Sequence, residues 1–79
     1  MARQVEANPV VPERGAVVYD PGTHKVGEYR DRAGPYVMLR PVGGGREWEA
    51  DPARIRPATP TERLSAAVKA ANQRAERAV

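Results

Sequence analysis

The sequence predicts a mainly β domain of five short strands followed by a C-terminal α-helix. Three observations carry this. Residues 34–50 hold two apolar-alternating runs joined by the glycines Gly43, Gly44 and Gly45, a hairpin pattern that also contains the only tryptophan, Trp48. Upstream, a β-branched and aromatic run ends in Asp20-Pro21-Gly22-Thr23, strong turn chemistry. From Thr59 onward the apolar spacing changes to that of a helix.

Taken in order, residues 1–14 contain Asn8-Pro9 and Pro12 without a sustained period and read as a flexible leader. Residues 15–20 form the first strand, entered through Gly15. In the turn that follows, Pro21 presets φ at the second position and Gly22 is expected to supply a positive φ at the third. Residues 26–30 are the second strand, and its internal Gly27 suggests a bulge or tight bend. Asp31-Arg32-Ala33-Gly34-Pro35 turns the chain into the hairpin that gives strands three and four. Asp51-Pro52-Ala53-Arg54 then reads as one helical or 3₁₀ turn, with Asp at the cap and Pro at the first position. Ile55-Arg56-Pro57 supplies a short last strand, confined to an edge by Pro57.

Thr59-Pro60-Thr61-Glu62 is a capping box, the Thr59 hydroxyl aimed at the backbone N–H of Glu62 and Glu62 reaching back. A helix is expected to follow to Arg77, with Leu64, Ala67, Val68, Ala71 and Ala75 as its apolar stripe. The stripe is mostly methyl groups. At roughly 25 cal/mol per Å² it buries little, so docking on the sheet should be weak or completed by a partner. The divisions are therefore a leader over 1–14, a β domain over 15–58 and an amphipathic helix over 59–77.

Composition bounds the function. With 79 residues, no Phe, one Trp and three Tyr, the core must be thin. The absence of Cys excludes disulfides and thiolate metal sites and suits a reducing compartment. Residues 1–9 lack an apolar signal core, and no run approaches the roughly 18 apolar residues of a membrane span, so a cytoplasmic location is expected. Acids and bases balance over residues 1–50, so the whole net charge of +3 falls in residues 51–79. Eleven of the thirteen bases are Arg, which with abundant Ala, Gly and Pro matches GC-rich bacterial coding better than a dedicated phosphate-binding surface.

Five closely spaced strands with a 3₁₀-like turn before the last is the order of an SH3-like small barrel. Residues 15–20, Val26-Gly27-Glu28-Tyr29 and Val37-Met38-Leu39-Arg40-Pro41 resemble the opening of SH3-like barrels of Tudor or KOW type. The longer signature, Gly34-Pro35-Tyr36 through Trp48 with Ile55-Arg56-Pro57-Ala58, is similar to small actinobacterial proteins of streptomycete type. The resemblance covers roughly residues 14–75. It implies a five-stranded SH3-like barrel with a C-terminal helix and carries no activity with it. The acidic loop and Pro-binding aromatics of signalling SH3 domains are missing, as is the basic stretch of ribosomal KOW domains.

No catalytic, metal or cofactor constellation emerges. His24 stands alone, whereas a metal site needs three or four converging ligands. Glu47 and Glu49 share a strand face opposite Arg40 and are expected to form cross-strand ion pairs. Gly43-Gly44-Gly45-Arg46 lacks the Gly-Lys-Ser/Thr ending of a phosphate loop. Val18, Val37, Leu39 and Trp48 are assigned inward, with Tyr36 and Met38 partly exposed. Tyr19, Tyr29 and Tyr36 could cluster as a cage or stacking surface, and Arg40 and Arg46 flank a loop able to touch an acidic partner. These five are the candidate partner-binding residues. The resulting expectation is a non-catalytic protein-interaction or regulatory module that binds a protein partner or itself, with no small-molecule substrate and no cofactor. The alternative is a nucleic-acid-binding accessory protein that uses the barrel aromatics with Arg54, Arg56, Arg63, Arg74 and Arg77.

Overall fold

The computed structural model describes residues 13–78, without the side chains of residues 77 and 78. The expected leader lies almost wholly outside the described residues. Its last two, Glu13 and Arg14, enter a turn in which Ala16 N–H donates to the Glu13 carbonyl at 2.9 Å.

Five strands follow: β1 (Val17–Asp20), β2 (Lys25–Ala33), β3 (Tyr36–Pro41), β4 (Trp48–Ala50) and β5 (Arg56–Pro57), then α1 (Pro60–Ala78). All pairings are antiparallel, in the order β4-β3-β2-β1-β5, so β4 and β5 are the edges of an open sheet. The first part of β2 pairs with β1, and Gly27 through Ala33 pair with β3. No helix among the described residues is long and apolar enough to cross a membrane.

Local chemistry departs from expectation at three points. The β-bulge falls at Arg30, between the pairs Tyr29↔Leu39 and Asp31↔Met38, and not at Gly27. Gly27 is small for another reason. A Cβ there would lie 2.6 Å from Cη2 of Trp48 and 3.0 Å from the Arg40 carbonyl oxygen, so the indole occupies the space a side chain would take. In the β1–β2 turn the left-handed backbone belongs to His24, at φ 56°, and not to Gly22. The Asp20 carboxylate explains this: it accepts from Gly22 N–H at 2.9 Å, an Asx turn that shapes the loop without a positive φ at the glycine. Third, β2 runs on to Ala33, leaving only Gly34 and Pro35 as the hairpin tip, with Gly34 at φ 60°.

The core is Val18, Tyr29, Val37, Leu39 and Ala50, with Trp48 and Ile55 packed against it. Residues of alternating strand positions share a face, which is why Val37 and Leu39 are buried while Tyr36 is exposed and Met38 half-buried. The turn at Asp51 forms as its sequence requires. The Asp51 side chain accepts from Ala53 N–H at 2.9 Å, and its carbonyl accepts from Arg54 N–H at 3.0 Å.

The capping box closes as expected: Glu62 N–H donates to the Thr59 hydroxyl at 3.1 Å, and Thr59 N–H donates to the Glu62 carboxylate at 2.9 Å. The helix, however, turns a different side to the sheet. Ala70 is buried and Glu62 and Ala66 are half-buried, whereas Leu64 is 67% exposed and Val68 52%. Leu64 and Val68 each lie two residues from Ala66, roughly 200° round the helix. The expected stripe of Leu64, Ala67, Val68, Ala71 and Ala75 therefore faces away. Two contacts set this rotation. Glu62 is tied to Arg56 of β5, and Ala70 seats on Gly43, where a Cβ would lie 2.6 Å from that of Ala70.

Candidate functional site

A cleft of about 500 Å³ opens between the sheet and α1. The start of β2 supplies Lys25 and Val26, and the end of β3 with its loop supplies Pro41, Val42 and Gly44. The helix supplies Glu62, Ser65, Ala66, Lys69, Ala70 and Gln73. Trp48, projecting from β4, joins the two walls. The volume falls in the usual range of ligand sites, about 300–1,000 Å³.

Trp48 is held from several sides. It pairs with Leu39 in register, abuts Gly27, and donates its indole N–H to Asp20 Oδ2 at 2.9 Å. The same oxygen accepts from the Thr23 hydroxyl at 2.9 Å. Asp20 is 4% exposed. Burial alone would raise its pKa. The hydrogen bonds from Trp48, Thr23 and Gly22, with the Arg54 charge, outweigh burial and hold it below the ordinary carboxylate value. Above the indole, the Lys25 ammonium stands 5.2 Å from the ring centroid, a cation–π distance.

The helix wall is fixed by a second network. Arg56 meets Glu62 in a two-pronged ion pair, Nη1 to Oε1 at 2.9 Å and Nη2 to Oε2 at 2.7 Å. Its guanidinium also lies 4.4 Å from the centre of the Tyr19 ring, whose hydroxyl is 3.2 Å from His24 Nδ1. Hydrogen bonding from Arg56, then from the Thr59 backbone, lowers the Glu62 pKa to about 2.

The tyrosines expected to cluster are not brought together. Tyr29 points into the core and is 7% exposed. Tyr19 pairs with Val26 and Tyr36 with Ala33, so the two lie at opposite ends of β2, roughly 23 Å apart at 3.3 Å per residue. A three-tyrosine cage is thus ruled out by the alternation of Tyr29 into the core and by this separation. Arg40 pairs in register with Glu28, while Glu47 lies 3.8 Å from Arg30 and Glu49 pairs with Met38, so among the described residues neither acid forms the expected ion pair with Arg40. Arg40 does reach the glycine loop, its Nη2 3.5 Å from the Cβ position of Gly44, and Arg46 is exposed on the same loop.

The C-terminal arginines are dispersed. Arg56 is engaged by Glu62, Arg54 acts on Asp20, and Arg74 Nη1 lies 3.7 Å from where a Cβ on Gly43 would sit. Arg63 is exposed on the helix, and the side chain of Arg77 lies outside the described residues. Among the described residues, no three His, Cys, Asp or Glu side chains converge in a metal-binding group. The sequence reading missed Lys25 and Lys69, the chain's two lysines, as groups of one cleft. They stand 44 positions apart, and the Gly43–Ala70 seat and the Arg56–Glu62 pair bring them to facing walls.

Comparison of the chain with protein-family models, curated proteins and solved structures returned no match in any of the three.

Proposed function

We propose that the protein is a non-catalytic protein-interaction module of the bacterial cytoplasm, and that its partner engages the cleft between the sheet and α1. One observation carries this reading: the sole tryptophan is anchored at its N–H and its ring edge yet stays half-exposed, forming a rigid apolar wall in a preformed cleft. Trp is enriched where binding energy concentrates, and a pre-ordered ring costs little entropy when a partner covers it. The two ionised carboxylates beside the cleft have structural partners, Asp20 in the turn and under the indole, Glu62 in the helix cap. That use supports holding over chemistry.

An SH3-like barrel of the actinobacterial type is part of the same proposal. Two features support it. The strand order places β1 between β2 and β5, and the Trp48–Asp20 bond joins β4 to β1 across two intervening strands. Flat strands at about 4.8 Å spacing would hold β4 and β1 roughly 14 Å apart, too far for an indole and a carboxylate to meet. A curled sheet satisfies the bond.

Blocking the cleft tests the reading. Ser65 is exposed on the helix wall, so Ser65→Trp should fill the opening without disturbing the core. A partner recovered from the native organism with the wild-type chain should be lost with S65W. Equal recovery would place binding elsewhere.

The alternative, a nucleic-acid-binding accessory protein, is disfavoured by the dispersal of the arginines, since strand or duplex binding draws on several phosphate contacts along one face.

A further inference from the structure

We infer that the cleft selects an acidic, extended peptide segment, one whose carboxylates meet Lys25 and Lys69 while an apolar residue between them rests on Trp48. This rests on the cleft being the binding surface and goes further by naming what it accepts.

The charge balance of the lining points that way. Lys25 stands at the sheet wall and Lys69 at the helix wall. Among the described residues neither has a carboxylate within salt-bridge reach. The one acid of the lining, Glu62, has both oxygens on Arg56 and accepts from Thr59 N–H as well, so its charge is already matched. The cleft therefore presents two uncompensated cations. Between them lie carbon-rich surfaces, Val26, Pro41, Val42, Trp48 and Ala66.

A ligand matching both features carries negative charge on an apolar frame. Bare phosphate leaves the apolar wall uncovered, and a nucleic-acid strand needs more cations in line than this site offers. An extended peptide with two acidic residues three positions apart and apolar residues between them fits both, because side chains an odd number of positions apart project to opposite sides and so reach facing walls. The ammonium of Lys25 is already aligned over the indole, so a carboxylate arriving there completes an anion–cation–ring stack.

The test uses the full chain and the emission of Trp48, which has no other tryptophan to obscure it. Three pools of capped hexapeptides free of Trp and Tyr are titrated: Asp or Glu at positions 2 and 5 among Leu, Val, Pro or Ala; the same frame with Lys or Arg; and the same frame with Ser or Gln. A short oligodeoxythymidylate is the fourth titrant. The expected result is saturable change with the acidic pool alone, weakening as salt rises. Lys25→Ala and Lys69→Ala should each weaken it about fivefold, the order of one partly exposed charge pair. Both lysines are exposed, and circular dichroism confirms that the variants fold.

Saturable binding of the neutral or basic pool, indifferent to either lysine change, would overturn the acidic preference and keep the cleft as the binding surface. Lysine-dependent binding of the oligonucleotide alone would overturn the peptide and favour the nucleic-acid reading. No response to any titrant would overturn the inference, and loss of the native partner with S65W would then show that the cleft still binds a partner of another kind.

Discussion

Trp48 and Asp20 stand 28 positions apart in the chain, and the indole N–H of one meets the carboxylate of the other at 2.9 Å. This bond joins an edge strand to the first turn of the sheet and orients the ring that lines the cleft. It couples stability to the site, because the same carboxylate also shapes the β1–β2 loop through Gly22 and Thr23.

Asp20→Asn should destabilise the fold by about 1–3 kcal/mol. The amide keeps the shape but turns a donor toward groups that are themselves donors, leaving one unsatisfied. Urea unfolding followed by Trp48 emission measures this. A midpoint unchanged from wild type would show that the carboxylate is dispensable.

Gly27→Ala should cost about 1–3 kcal/mol, since the added methyl must displace the indole or the strand backbone at 3.0 Å. Gly34→Ala meets open space, and its cost, about 1 kcal/mol, comes from the positive φ alone. Only the first substitution should shift the emission maximum of Trp48. Equal spectra in the two variants would contradict the seat described for the ring.

Stability should fall in acid. The folded pKa of Asp20 lies below its ordinary 3.8, and that of Glu62 is lowered from 4.5 to about 2. A depressed carboxylate stabilises fully above its unfolded value, and the contribution is lost as pH falls through the folded one. Thermal unfolding should therefore be level above about pH 5 and decline progressively below it. In Glu62→Gln the helix signal should lose part of this acid dependence while the sheet signal keeps it through Asp20. A helix signal with the same acid profile in E62Q would contradict the role given to the cap.

Truncation after Ala58 should leave the sheet folded. The backbone bond from Ala58 N–H to the Val17 carbonyl, 3.0 Å, stays in the shortened chain, and among the described side chains of the helix only Ala70 is buried. Far-UV circular dichroism should keep the β signal and lose the helical one, with Trp48 emission moving to the red as one cleft wall is removed. Collapse of the β signal would make the helix integral to the core.

Strands, the Asp51-Pro52 turn and the helix cap were legible because each rests on chemistry local in sequence: alternation in residues 36–41, the Asp51 side chain with Ala53 N–H, and Thr59 with Glu62 three positions on. The place of the Asp20–Thr23 turn was legible but not its geometry, since the Asp20 carboxylate shapes the loop and His24, not Gly22, takes the positive φ. The other failures were mainly long-range. The roles of Gly27 and Gly43 depend on Trp48 and Ala70, which arrive from 21 and 27 positions away. Helical periodicity identified an apolar stripe at Leu64 and Val68, but which side meets the sheet is set by Arg56 and Gly43, outside the helix. The cleft combines residues from β2, β3 with its loop, β4 and α1, so its lysines carried no pattern that spacing could reveal.

Amide chemical-shift mapping of the labelled full-length chain with the tightest-binding acidic hexapeptide tests the central claim most directly. The largest changes should fall at Lys25, Val42, Gly44 and Lys69 and at the Trp48 indole N–H. Changes centred on Tyr36 and Arg46, or on Leu64 and Val68, with the indole signal unmoved, would contradict it.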